Sequence, residues 1–251
     1  MINPILLTFK DEAKSQRLLD FLATLDYVDI APAPQQAKLE AEPPIVVPIL
    51  KENYTRKDLQ KIAQQFPKSH TWIYADILKY FPSDSMIKVE ILNHKINIMA
   101  SPEEIHQNIV GELSTTFKTF NKQNKLGKVI ISPFDVLLDA PNVFVPDVIF
   151  VSVARKGILD GKKANGAPDL AVEVWSPGNK KKERAQKKEV YAKNGVTEFW
   201  EIYPKKEQVI VQILNTKQEY EIFSEAKKTG KVQSKVLDGL IIDLTDIFVM
   251  E

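Results

Sequence analysis

Two carboxylates stand out by the company they keep. Asp147 lies in the run Val143-Phe144-Val145-Pro146-Asp147-Val148-Ile149-Phe150-Val151, and Glu173 in Pro168-Asp169-Leu170-Ala171-Val172-Glu173-Val174-Trp175. Both runs read as apolar strands with one acid among hydrophobic neighbours. A buried carboxylate without a partner costs several kcal/mol in practice. Two of them in adjacent strands repel each other unless a cation or a shared proton intervenes. A hard cation such as Mg²⁺ meets that need, because it takes one or two carboxylates and keeps several waters. The competing reading is that each acid reaches solvent at a strand end, which accounts for one such residue more easily than for two.

The segment after Glu173 is strongly basic. Beyond Ser176-Pro177-Gly178-Asn179, positions 180–189 hold Lys180, Lys181, Lys182, Arg184, Lys187 and Lys188 against Glu183 and Glu189. As a helix this is either a solvated face or a surface for backbone phosphates. At ~100° per residue, Val190 and Tyr191 fall on either side of Lys187, so the face that packs on a sheet carries a lysine near its centre. Two readings of Lys187 stay open. Its stem packs while the ammonium escapes to water, or the ammonium points at the two carboxylates, where it holds a nucleophilic water or offsets charge on a phosphate. His106 lies one helical step from apolar Ile105 and Ile109 and is either structural or part of the same cleft. Glu90 and Glu112 read first as surface acids and second as further carboxylates of that cleft.

The elements that must position these residues follow from periodicity. Residues 1–30 read as a small strand–helix–strand element, with strands at Ile5–Phe9 and Tyr27–Ile30 and a helix over Asp11–Leu25. Five of the fifteen prolines fall within 32–48, so 31–48 reads as a stiff connector. A helical lead-in covers 49–70, with a pattern at Arg56–Phe66, and the main domain spans 71–251, beginning with a helix over Thr71–Tyr80. Met86–Leu92 and Lys95–Met99 alternate and join at Asn93-His94, which predicts a hairpin. Ser101-Pro102-Glu103-Glu104 predicts a capped helix start, with Ile105, Ile109, Leu113, Phe117 and Phe120 on its buried face. Strands are expected at Lys128–Ser132, Phe134–Leu138, Val143–Val151 and Asp169–Trp175, with a loop over Gly157–Ala167. The basic helix, Lys180–Asn194, stops at Gly195, and a meander follows at Thr197–Tyr203, Gln208–Leu214 and Tyr220–Phe223. Trp72, Trp175 and Trp200 read as core. Strands, one crossover helix and more strands predict an α/β or α+β fold, a sheet with helices upon it.

Composition removes several chemistries. The 251 residues contain no cysteine, which excludes disulfide scaffolds, thiolate zinc sites, iron–sulfur clusters and cysteine nucleophiles. The three histidines, His70, His94 and His106, are too scattered for an all-histidine metal cage. No phosphate-binding loop of the Gly-x-x-x-x-Gly-Lys type and no serine nucleophile elbow occur. With 34 Lys+Arg against 33 Asp+Glu, nucleic-acid affinity has to come from a local patch. No run approaches the ~20 apolar residues of a membrane span, and no secretory signal opens the chain. The expectation is a soluble, cytoplasmic protein.

Taken together the residues are similar to a known pattern. Pro146-Asp147, then Glu173 after 26 positions and a nearby lysine, resembles the PD-(D/E)XK nuclease superfamily. More closely, Pro168–Asn179, Lys187-x-x-x-Tyr191 and Gly195-Val196-Thr197-Glu198-Phe199-Trp200 resemble the Uma-type restriction endonuclease family, as do Val89-Glu90-Ile91-Leu92 and the run from Ser101-Pro102 through His106 to Leu113. The resemblance covers about residues 71–248. It implies a restriction-endonuclease-like mixed central sheet flanked by helices, and Mg²⁺-dependent phosphodiester hydrolysis, with Mn²⁺ able to substitute. Asp147 and Glu173 match the metal-binding acids, with the Val174 carbonyl as a further ligand. The superfamily's lysine, two residues after the glutamate, would fall on Trp175. In the Uma-type family it has moved to the next helix, where Lys187 matches it, and Tyr191 joins the accessory candidates His106, Glu112 and Glu90. Asn93-His94 stands where that family commonly has Asp-Gly.

The expected function is thus a metal-dependent endonuclease acting on DNA, with Lys187 assisting the attacking water and Lys180, Lys181, Lys182, Arg184 and Lys188 on backbone phosphates. Cutting both strands needs two sites, which suggests a homodimer. The alternative is an inactive nuclease-fold module that binds DNA or a partner protein, as in a defence or toxin–antitoxin-like system. That module would be expected to lack at least one of the three catalytic residue types.

Overall fold

The structure, a computed structural model, describes residues 66–67, 69–81, 88–99, 102–176 and 178–248. All of these belong to one compact unit, Val47–Glu251. The element expected at 1–30, the connector 31–48 and nearly all of the helix expected at Arg56–Phe66 lie outside the described residues.

A short helix, α1 (Tyr74–Tyr80), leads into a hairpin of β1 (Lys88–Leu92) and β2 (Lys95–Met99). Its turn is the expected Asn93-His94 pair, and both residues take positive φ, 50° and 59°, as a two-residue type I′ connection requires. Next comes α2 (Glu104–Asn124). Its N-cap is Glu103 rather than the expected Ser101, because the first intrahelical carbonyl to accept is that of Glu103, from the N–H groups of His106 and Gln107. This start also sets the helix phase. Ile109, Val110, Leu113 and Phe117 are buried, whereas Ile105 stays 49% exposed and His106 turns inward in its place.

The apolar run expected as one strand over Val143–Val151 is two strands in two different sheets. β5 (Asn142–Phe144) pairs with β1 and with β4 (Asp135–Asp139). β6 (Val148–Ser152) pairs with β3 (Gly127–Ile131) and with β8 (Leu170–Val174). Pro146 sits at the break, where its missing N–H ends the ladder, and Asp147 is the next residue. The segment expected as a loop over Gly157–Ala167 contains a three-residue strand, β7 (Lys163–Asn165), parallel to β4.

α3 (Lys181–Lys193) links β8 to β9 (Glu198–Tyr203), and these two strands are parallel, which is why a helical crossover is needed between them. The helix closes with Gly195 at φ 80° and the Val196 N–H donating to the Tyr191 carbonyl at 3.1 Å, a Schellman ending. The expected meander continues through β10 (Gln208–Leu214) and β11 (Tyr220–Lys227), and the chain finishes with β12 (Lys231–Gln233), β13 (Ile241–Asp243) and the short α4 (Leu244–Ile247). The sheet orders are β11-β10-β9-β8-β6-β3 and β2-β1-β5-β4-β7, with β12-β13 as a separate pair.

Alternation sends each central strand both ways. Val148, Phe150, Leu170, Val172, Val174, Trp200 and Ile202 pack with Ile109, Leu113 and Phe117 of α2. Their neighbours Ile149, Val151, Ala171, Trp175 and Phe199 pack with Val190 and Tyr191 of α3 and with Val136 and Phe144 of the second sheet. The six-stranded sheet is thus covered on both faces, and its middle strands are nearly continuous apolar runs. The three tryptophans are buried as expected. Among the described residues no helix is long and apolar enough to cross a membrane.

The observed phase of α2 is testable by stability. Leu113→Ala should cost about 2–5 kcal/mol in denaturant unfolding, whereas Ile105→Ala should change it by less than about 1 kcal/mol. Equal losses would mean that the helix is rotated from this placement.

Candidate active site

The site forms where the two larger sheets meet. On β8 the odd positions face α3, so Glu173 points toward the helix that carries Lys187 and Tyr191. The other edge of the same strand faces Asp147. The Asp147 N–H donates to the Val172 carbonyl at 3.1 Å, and the Val174 N–H donates to Asp147 Oδ2 at 2.8 Å. Because N–H and C=O of one strand residue open to the same edge, the Val174 carbonyl opens toward Asp147 as well. β1 supplies a third side. Lys88 and Glu90 are two residues apart and share a face; Lys88 Nζ lies 3.3 Å from Asp147 Oδ1, and Glu90 reaches Lys187.

Lys187 is the hub. It is 3% exposed, and its Nζ lies 2.7 Å from Glu173 Oε1 and 3.1 and 3.0 Å from the two carboxylate oxygens of Glu90. Glu90 also accepts the Val145 N–H at 2.8 Å. The rings of Phe144 and Trp175 wall the ammonium, at 5.0 and 5.7 Å to their centroids. Tyr191 donates to Glu173 Oε1 at 2.6 Å. Lys187 therefore does not snorkel to solvent; of the two expected carboxylates it meets Glu173, and its second partner is Glu90 rather than Asp147.

Trp175, which walls Lys187, is itself anchored. Its Nε1–H donates to Glu201 Oε1 at 3.1 Å, and Tyr203 and Gln212 donate to the same carboxylate at 3.0 and 2.8 Å. The other candidates separate cleanly. His106 Nε2 lies 3.2 Å from Asp147 Oδ2, which puts it in the cleft, and its buried Nδ1 has no hydrogen-bond partner. Glu90, read first as a surface acid, is 1% exposed, because strand alternation turns it inward onto Lys187. Glu112 is exposed on α2, as that first reading has it. Lys180, Lys181 and Lys182 are exposed around the start of α3. Arg184 lies over the Tyr203 ring at 5.3 Å, and Lys188 donates to the side-chain amide oxygen of Gln212. Sequence reasoning missed Lys88; the signal was its two-residue spacing from Glu90 in an alternating strand.

Electrostatics follow from this packing. Burial pushes the Asp147 carboxyl up, but Lys88, His106 and the Val174 N–H outweigh it and hold its pKa well below the usual carboxylate range. Burial raises the pKa of Glu173, opposed by Lys187 and reinforced by the neighbouring Glu90 and Asp147. For Lys187 burial works against the charge, yet Glu173 and Glu90 overcome it and raise its pKa, so the ammonium stays protonated. Burial and the adjacent Glu173 push the Tyr191 phenol well above its ordinary value, and it remains a donor.

The donor set of Asp147, Glu173 and the Val174 carbonyl is all oxygen, which suits a hard divalent cation. Among the described residues no group of three or more His, Asp or Glu side chains is arranged to hold a metal. Two carboxylates and a carbonyl fit an ion such as Mg²⁺ that keeps several waters. Both contacts to Glu173 fall on Oε1, so its other oxygen is the one such an ion would use.

The chain matches a family model, Uma2, described as "Putative restriction endonuclease", over residues 73–245. Among solved structures, a putative nuclease from Anabaena variabilis is similar with a TM-score of 0.58 and 19% identity, covering 70% of this chain and 97% of its own. That likeness is one of fold: a mixed α+β architecture. No curated protein matches the chain.

The charge cluster has a stability signature. Lys187→Met leaves two buried carboxylates facing each other and should cost about 3–5 kcal/mol. Adding Glu90→Gln to that variant should recover part of the loss, measured by denaturant unfolding of the four-member cycle. Strict additivity of the two losses would show that the pair does not interact.

Proposed function

Because this chain belongs to the Uma2 family of putative restriction endonucleases, we propose that it is a Mg²⁺-dependent endonuclease that hydrolyses DNA phosphodiester bonds, with Mn²⁺ able to substitute. The observation that carries this reading is that Asp147 and Glu173, from two separate strand runs, lie close enough to act on each other electrostatically, Asp147 on the Val174 N–H of β8 and Glu173 on a buried, protonated lysine. Asp147, Glu173 and the Val174 carbonyl would hold the ion. When bound, it supplies Lewis-acid polarisation of the phosphate and a water of lowered pKa.

The chain's own residues do the rest. Asp147 is kept ionised by Lys88, His106 and the Val174 N–H, so it presents charge without a proton to lose first. Tyr191 and Lys187 grip Glu173 Oε1 and fix the direction of its other oxygen. Lys187 assists the attacking water through the positive charge that it places behind Glu173, which offsets charge developing on the phosphate. In the reaction the water oxygen bonds to phosphorus and one ester P–O bond breaks. The water loses a proton and the leaving oxygen gains one, giving a phosphate monoester and a hydroxyl. The exposed Lys180, Lys181 and Lys182, with Arg184 and Lys188 further along α3, line the approach for flanking backbone phosphates. Two strands need two cuts, so the reading includes a homodimer, acting in the cytoplasm.

The test is nicking of supercoiled plasmid with Mg²⁺ or Mn²⁺ and with chelator, comparing wild type with Asp147→Asn and Glu173→Gln. Cleavage should require metal and fall by about 100-fold or more in either variant, while DNA binding changes only a few-fold. A variant that cuts at the wild-type rate would remove this site assignment. A wild type that cuts no duplex, single-stranded or branched DNA would leave a nuclease-fold module that binds without cutting.

A further inference from the structure

An ammonium has three N–H donors and no more. Those of Lys187 face three carboxylate oxygens, Glu90 Oε1 and Oε2 and Glu173 Oε1, inside aromatic walls and at 3% exposure. No N–H remains for a water or a phosphate. Lys88 is the opposite case. Among the described residues its one hydrogen-bond or ion-pair contact is Asp147 Oδ1, at a long 3.3 Å, and its side chain is 22% exposed. Asp147 Oδ2 is already engaged by the Val174 N–H and His106, so Oδ1 is the oxygen left to a cation, and Lys88 occupies it.

We propose that Lys88 is a catalytic residue: its ammonium rests on Asp147 Oδ1 in the free protein and moves onto the scissile phosphate when a divalent cation takes that oxygen. Lys88 then neutralises the phosphate by direct contact, while Lys187 remains a buried positioning residue for Glu173. The assignment rests on the nuclease reading above and deepens it. It uses two lysines for two tasks that the sequence pattern places on one.

The test is Lys88→Met, with two readouts. The first is plasmid nicking, in which turnover at saturating DNA should fall by about 100-fold or more and KM should change by less than about threefold. The second needs no activity: Mn²⁺ binding to the DNA-free protein by calorimetry should become several-fold tighter, because the competing ammonium is gone. Asp147→Asn in the Lys88→Met background should abolish that gain. Lower turnover with tighter metal binding supports the assignment. Wild-type turnover in Lys88→Met would overturn it, and so would Mn²⁺ binding that is unchanged or weaker. A wild type that neither nicks DNA nor binds Mn²⁺ would overturn the nuclease reading itself, which is a different pattern from a wild type and a Lys88→Met variant that cut equally well.

Discussion

The interaction on which the rest depends is the clasp of one ammonium by two carboxylates. Glu90 belongs to the five-stranded sheet, Glu173 to the six-stranded sheet and Lys187 to the crossover helix between β8 and β9. Each is almost completely buried, so none can turn to water for relief. A charge in that position is tolerable only while both neighbours are in place, and the same holds for each neighbour in turn. The clasp thus couples three elements, and Tyr191 adds a second tie between the helix and Glu173. It also fixes the distance between the two sheets at the point where Asp147 emerges.

Much of this was legible in the chain. Strand alternation and helical phase carried Glu173, Lys187 and Tyr191 to one interior, because all three are set by spacings of a few residues. The hairpin turn at Asn93-His94 and the end of the basic helix at Gly195 were legible for the same reason. What was not legible is what depends on distant pairing. Glu90 meets Lys187 across 97 positions and Lys88 meets Asp147 across 59, and no local period encodes either meeting. The division of Val143–Val151 between two sheets was hidden by uniform hydrophobicity, although Pro146 was the residue that marked it. β7 is three residues long, too short to show a period at all.

The division at Pro146 matters to the chemistry as well as to the topology. A single continuous strand would carry Asp147 into the pleat of one sheet, away from β1. At the seam its side chain can accept a backbone N–H from β8 while β1 approaches from the other sheet. The acid is therefore held by main-chain geometry on one oxygen and by a partly exposed side chain on the other. One oxygen is fixed and the other exchangeable, which suits a ligand that must come and go.

The indole of Trp175 has a consequence for sequence change. It walls Lys187, and its nitrogen is committed to Glu201. A lysine there would put two ammonium groups in one dry pocket and strip the aromatic wall from the first. Removing Lys187 alone would strand Glu90 and Glu173. Positions 175 and 187 are thus coupled: a substitution at either changes which side chain the other can carry.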